Sequence, residues 1–245
     1  MSILLTILVV LILWAGGMVS PSLAGEDLVV GAFSSAKAGG ALPESWAPMT
    51  FKKIKRHTRY DLVSDAGVVV VRAISNAASS GLVSRLRIDP RQFPIIQWRW
   101  KIMDTYEKGD VARKEGDDYP ARIYIMFEYD PKKIGFFKRA TYAAARLFYG
   151  EYPPTGAIAY IWGSKAKKGL VVPNPYTDRV RMIVVESGKG AAGTWVKEER
   201  NVYDDYRDAF GQEPPFIGGV AIMTDTDNTG ASGTAFYGDI VFSTR

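Results

Sequence analysis

The sequence predicts an all-β-dominated fold, a sandwich or barrel of antiparallel strands with one amphipathic helix inserted between them. Short stretches of alternating polar and apolar residues recur along the chain, separated by Gly, Pro, Asn and Asp, as strands joined by tight turns require. The clearest runs from Ile95 to Ile102, where Ile96, Trp98, Trp100 and Ile102 share one face and Gln97, Arg99 and Lys101 the other. One long stretch, Lys133 to Tyr149, instead carries apolar residues at helical spacing, with basic residues between them.

Taken in order, the strands expected are Val68 to Ala73, Leu82 to Ile88, Ile95 to Ile102, Ala121 to Tyr129, Ala157 to Trp162, Val180 to Val185, Ile217 to Met223 and Thr234 to Phe242. In Ala121 to Tyr129 the set Ile123, Ile125 and Phe127 opposes Arg122, Tyr124, Met126 and Glu128. The helix occupies an insertion at about 132–152, where it either covers an open sheet face or lies on a membrane surface. A second, shorter helix is expected at Tyr203 to Phe210, ended by Gly211. The polar stretches Tyr106 to Asp118 and Gly163 to Asp178 read as long loops and as the rim of a binding site.

The N-terminus carries an address. Residues 1–24 contain no charged side chain, and Ile3 to Trp14 is an apolar run of signal-peptide length, too short to span a bilayer comfortably. Gly16, Gly17 and Pro21 follow, then Ser22-Leu23-Ala24, the small-x-small pattern of a cleavage site. Cleavage is expected before Gly25, leaving a single β-sandwich domain over 25–245 that is periplasmic or secreted. The absence of Lys and Arg from the first residues keeps an uncleaved anchor as the alternative.

Composition excludes several chemistries. The chain has no Cys, so its stability must come from packing even in an oxidising compartment. With His57 as the only histidine, a thiol nucleophile and the usual structural zinc sites are ruled out. There is no Gly-x-Ser-x-Gly elbow, Walker loop or dinucleotide fingerprint after a strand. The net charge of +5 is concentrated around Lys52 to Arg59 and Lys132 to Arg146, which suits solvated faces or an anionic envelope surface; nucleic acid is not an expected partner.

Carboxylate, amide and aromatic chemistry remains, in three places. Asp117 and Asp118, before Arg122, need solvent, a cation or a guanidinium to sit side by side. Asp225-Thr226-Asp227-Asn228-Thr229-Gly230 has the spacing of the first half of a calcium loop, with Phe236 where an EF-hand needs Glu; Asp225 and Asp227, joined by Asp239, are the candidate ligands of a structural calcium, and a plain turn is the alternative. Arg99, Arg122, Tyr124, Glu128, Tyr160, Trp162, Tyr237 and Asp239 fall on similar parities and would line one concave surface if their strands were neighbours. Sugars bind to such surfaces by stacking on rings and bonding to charged forks.

Trp98-Arg99-Trp100-Lys101, Gly116-Asp117-Asp118-Tyr119 with Ala121-Arg122, Tyr160-Ile161-Trp162, Glu186-Ser187-Gly188, Glu199-Arg200-Asn201-Val202, Asp225 to Gly230 and Tyr237-Gly238-Asp239-Ile240 together resemble the bacterial family called domain of unknown function 3047. The likeness runs from about Phe33 to Phe242, with the stretch 132–152 as an addition, and it brings no established activity. More remotely, Phe33 to Trp46 and the closing Tyr237-to-Phe242 strand resemble galactose-binding-type jelly rolls of carbohydrate-binding modules, which narrows the expectation to a jelly-roll-like sandwich and implies the calcium role of Asp239.

The leading reading is thus an exported, non-catalytic binding module for a glycan or other envelope polymer, using Arg99, Arg122, Tyr124, Glu128, Tyr160, Trp162 and Tyr237. Its rivals are a carboxylate-dependent, glycosidase-like hydrolase drawing on Asp117, Asp118, Glu128, Asp225 and Asp239, and a structural envelope protein touching membrane through residues 133–149.

Overall fold

The computed structural model describes residues 27–129 and 155–244, so the expected export segment and the expected inserted helix lie outside the described residues. Among the described residues thirteen strands form two sheets. The first runs β11 (Val196–Asn201), β6 (Ile95–Ile102), β13 (Ser232–Ser243), β4 (Val68–Asn76), β3 (Arg59–Asp65), with β1 (Asp27–Gly31) also paired to β13. The second runs β2 (Trp46–Met49), β5 (Ser79–Ile88), β12 (Ile217–Asp225), β7 (Arg122–Phe127), β8 (Gly156–Gly163), β10 (Thr177–Ser187), β9 (Val171–Asn174).

β4 to β7 and again β11 to β13 alternate between the sheets, as in a jelly roll. Every pairing is antiparallel except β8 with β10, which are parallel. Parallel neighbours need a long crossover, and the connection between them is long enough to contain β9.

Alternation along β6 organises the core. Ile96, Trp98, Trp100 and Ile102 are all buried on the inner face. Trp98 stacks on Tyr160 of β8 at 5.2 Å and 27°, and Trp100 lies 5.9 Å from Trp162. Two strands of opposite sheets are thereby clamped ring to ring, and such pairs add about 0.5–1.5 kcal/mol each beyond the area they bury. Tyr237 stands directly opposite Trp100 in the first sheet, and its hydroxyl donates to the Met223 carbonyl at 2.7 Å. Tyr160, Trp162 and Tyr237 are therefore core residues and not part of a polar surface. The cause is that β8 is buried along its whole length, so its pattern does not reveal which face looks inward.

Five strands escape the sequence pattern: β1, β2, β3, β9 and β11. β2 and β9 are four residues long, contain Pro48 and Pro173, and lie at sheet edges where a missing N–H is tolerated. β11 reads Val-Lys-Glu-Glu-Arg-Asn because, as an edge, it packs only part of one face.

The helix α1 (Val202–Phe210) begins where Asn201 accepts the Asp204 N–H at 3.1 Å and ends at Gly211, whose φ of 67° is in the left-handed region that glycine tolerates. It buries Val202 and Tyr206, the latter against Phe127 at 4.3 Å. Among the described residues no helix is long and apolar enough to cross a membrane.

Replacing Trp162 by Ala removes one clamp and leaves a cavity between the sheets. We expect a loss of about 3–5 kcal/mol, read from urea denaturation of the purified domain; a loss under about 1 kcal/mol would show that the clamp is dispensable.

Candidate functional site

Two sets of functional side chains emerge, one on the outer face of each sheet. On the first sheet the inward Trp98 and Trp100 force Gln97, Arg99 and Lys101 outward. The ladder sets Lys197 of β11 beside Arg99 and Glu199 beside Gln97, and Gln97 Nε2 donates to Glu199 at 2.6 Å. β13 is irregular between Tyr237 and Ile240, and this bulge displaces Gly238 and Asp239 from regular pairing. Gly238 is required there, since a Cβ would sit 2.6 Å from Cγ and Nε of Arg99. Around the bulge lies an open depression of about 460 Å³ lined by Gln97, Trp98, Arg99, Lys197, Glu198, Glu199, Asp239 and Val241.

One wall extends to Trp195. The Arg99 guanidinium lies 4.6 Å and the Lys101 ammonium 5.3 Å from its ring, and its N–H donates to Asp65 at 2.6 Å. Lys101 donates to both oxygens of Asp65 at 2.7 Å, which holds the Asp65 carboxyl below its ordinary range. Phe236 stands 6.4 Å from Trp195 on the same face. Trp195 went unread in the sequence because it precedes a strand that was itself missed; an aromatic after Gly193-Thr194, at a turn exit, was the available signal.

On the second sheet, Arg122 and Tyr124 alternate with the core residues Ile123 and Ile125 and so point outward, yet Arg122 is buried. The loop before β7 folds back over it. Its guanidinium lies 4.9 Å from the Tyr119 ring and 5.4 Å from the Tyr124 ring, and it is bonded to Asp225 at the end of β12. Burial works against the Arg122 charge, but the surrounding phenols and carboxylates, Tyr124 and Asp117 first, hold the proton on. Burial raises the Tyr124 hydroxyl as well.

The two acidic motifs meet here across more than a hundred residues. Asp118 accepts the Asn228 and Thr229 backbone N–H groups at 3.2 and 2.6 Å and the Thr229 hydroxyl at 2.6 Å. Asp225 accepts the Tyr119 N–H at 3.2 Å. Asp117 accepts from the Tyr119 hydroxyl and from Asn174 at 3.0 Å. The two long loops also join: Tyr106 N–H reaches Ser164 at 3.1 Å, and the Tyr176 hydroxyl sits between Asn228 and the Lys114 carbonyl. A second depression of about 480 Å³ lies between these loops, but its lining, Glu107 to Gly116 with Lys165, has no aromatic member.

The expected common surface does not form. Arg99 and Asp239 are on the first sheet, Arg122 and Tyr124 on the far side of the second, and Tyr160, Trp162 and Tyr237 between them. Glu128 follows β7 and pairs with Arg87 at 3.2 Å. Asp239 does not join Asp225 and Asp227; it accepts the Ser34 N–H at 2.8 Å and bonds the Ser34 hydroxyl, tying a 3-10 turn at Phe33–Ser35 to the bulge. Asp118 takes its place, and carboxylate oxygens of Asp118, Asp225 and Asp227 lie within 4.8 Å of one another. The carboxylates proposed for hydrolysis are likewise dispersed: Asp117, Asp118 and Asp225 are buried under the loops, Glu128 is ion-paired and Asp239 is on the opposite sheet.

Fold and sites define a β-sandwich with an open, mixed-charge depression on one sheet and a buried arginine-carboxylate cluster on the other. The sequence profile of the family described as "Protein of unknown function (DUF3047)" matches residues 44–241, and the chain belongs to that family. No curated protein sequence matches it significantly. Among solved structures it is similar to the carbohydrate recognition domain of Emp47p, at 9% identity and a TM-score of 0.43, over 88% of this chain and 94% of that one. It is also similar to CBM27-1 of Caldicellulosiruptor saccharolyticus, solved with mannohexaose, at 11% identity and a TM-score of 0.35, over 90% of this chain and 98% of that one.

Removing Arg122 would leave Asp225 buried and unpaired, so Arg122→Ala is expected to cost about 3–5 kcal/mol in denaturant unfolding, far more than a surface arginine. The acids of the cluster also set a pH dependence. Burial raises the carboxyl of Asp117 against the opposing pull of Arg122, and burial and then the Asp118 charge raise that of Asp227. A raised folded-state value means the stability these protons give is full below the unfolded carboxylate pKa of about 3.9 and is lost as pH rises through the raised values. Asp117→Asn should therefore flatten the fall in melting temperature as pH rises from about 3.9; an unchanged slope would remove Asp117 from this account.

Proposed function

We propose that this protein is an exported, non-catalytic β-sandwich module that binds a glycan or other cell-envelope polymer on the outer face of its first sheet. The observation that carries the reading is the depression at the Gly238–Asp239 bulge, where a guanidinium, an amide, an ammonium and two carboxylates surround open space beside the Trp195 ring. A sugar ring offers hydroxyls that both donate and accept and a C–H face that stacks, so mixed charges next to an aromatic wall suit it. Of the residues expected from the sequence to line a ligand surface, Arg99 and Asp239 line this depression.

Retention of the chain beginning at Gly25 on a panel of insoluble and immobilised polysaccharides tests the proposal. Arg99→Ala and Trp195→Ala should each weaken retention about tenfold, or ~1.4 kcal/mol, with folding unchanged by circular dichroism. Uniform absence of retention by the wild-type chain rejects it. Mass spectrometry of the mature N-terminus tests export: Gly25 is expected as the first residue.

A structural Ca²⁺ bridging Asp118, Asp225 and Asp227 is a second reading, favoured by the close approach of three carboxylates of which Arg122 engages only Asp225. Binding to the native state alone must stabilise it by mass action. Millimolar Ca²⁺ should then raise the melting temperature by several degrees, about 2–4 °C per kcal/mol for a domain of this size, and Asp118→Asn should abolish the rise. No rise in the wild type dismisses the ion, and the hydrogen bonds from Asn228 and Thr229 then suffice.

A further inference from the structure

Glu198 occupies an unusual seat. It lies on β11, the edge strand of the first sheet, directly opposite Trp98 in the ladder, with Trp100 opposite Val196 as its diagonal neighbour. Val196 packs on the core and Arg200 bonds to the buried Asp205, so this face of β11 looks inward, and Glu198 with it. Its Oε1 and the indole nitrogens of Trp98 and Trp100 are all buried and close no hydrogen bond. Buried polar groups are rarely left so, and three on adjoining residues mark a place where the fold tolerates an unmet need.

The charged groups around this carboxyl do not meet that need. Lys168, in the connection before β9, is the nearest source of positive influence, but its ammonium is bound to Glu186 of β10 at 3.0 Å and its side chain is 60% exposed. Glu186 itself opposes a charge on Glu198. Arg200, on β11, is committed to Asp205 at 3.0 Å. The Trp100 N–H favours the ionised form without reaching hydrogen-bond geometry. Burial dominates, and the carboxyl is pushed up to about 7.

We propose that Glu198 is a proton-controlled latch on β11. Protonated, it rests half-buried at the edge of the sandwich with Oε1 covered and the edge strand stays docked; ionised, it turns out to solvent and loosens β11. Among the described residues that strand pairs only with β6, and no second ladder from them holds it. Its outward residues Lys197 and Glu199 line the depression, so releasing the strand withdraws both from the binding surface. The consequence for ligand rests on the function proposed above; the latch itself does not. The sign follows from the raised value: docking is favoured by the proton, full below the ordinary glutamate range and lost as pH rises through about 7.

Intrinsic tryptophan fluorescence of the chain beginning at Gly25, titrated from about pH 5.5 to about 8.5, should show a transition near neutrality that is absent in Glu198→Gln. Amide exchange should show protection at Lys197 to Arg200 falling about tenfold or more across it, with β4 and β12 unaffected. A flat wild-type titration, or the same transition in Glu198→Gln, overturns the proposal. Should that variant misfold, ¹³C NMR of the glutamate carboxyls in the wild type decides: a Glu198 value in the ordinary glutamate range overturns it, and one near neutrality upholds it. Retention on polysaccharide should decline with pH in the wild type and stay level in Glu198→Gln. If nothing is retained at any pH the binding function falls, while fluorescence and exchange still decide the latch.

Discussion

The paired rings of Trp98 with Tyr160 and Trp100 with Trp162 are the contact on which the rest of the molecule depends. A chain without cysteine must join its two sheets without disulfides, and these four side chains join β6 of one sheet to β8 of the other. Because side chains alternate strictly along a strand, fixing the two indoles inward fixes Gln97, Arg99 and Lys101 outward. The same register sets Tyr237 opposite Trp100 and Glu198 opposite Trp98. The outward Lys197 and Glu199 and the inward-turned, half-buried Glu198 thus alternate along the same pairing between β6 and β11.

The second sheet solves a different problem. Its outer face at β7, β8 and β10 is as apolar as its inner one, with Ala159, Ile161, Met182 and Val184 in a separate cluster under Tyr119 and Val111. The covering loop lays Asp117 and Asp118 over Arg122 of β7 and Asp225 of β12 in a dry place, where charge is tolerated because each group has a bonded partner. Arg122 lies against two tyrosine rings and is bonded to Asp225, and Asp118 gathers the Asn228–Thr229 turn. Residues that look like catalytic or metal-binding acids in the sequence therefore close the loops onto the sheet.

How much of this is legible in the sequence varies with burial. β6 appears with the bounds its alternation marks, because one face is core and the other solvent. β8 is found, but its inward face is not, since Ala159 and Ile161 are as buried as Tyr160 and Trp162. The edge strand β11 is invisible as a strand, and with it go Lys197, Glu198 and Glu199. Asp118 and Asp225 are each singled out by local motif, whereas their convergence depends on β12 running beside β7. Asp239 goes the other way, drawn from the calcium loop to Ser34 by the bulge in β13.

The sequence by itself determined the class of fold, the main strands, the helix closed by Gly211 and, through an inventory with no Cys and one His, the residue types open to chemistry. Those properties are local or compositional: alternation, capping and residue inventory act over a few positions or over the whole chain at once. The tertiary structure alone decided which face of each fully buried strand turns inward, which acids share a site and which aromatics are open to a ligand. Those are consequences of strand order, and strand order is set by pairing between segments distant in the chain, where no local pattern records the partner.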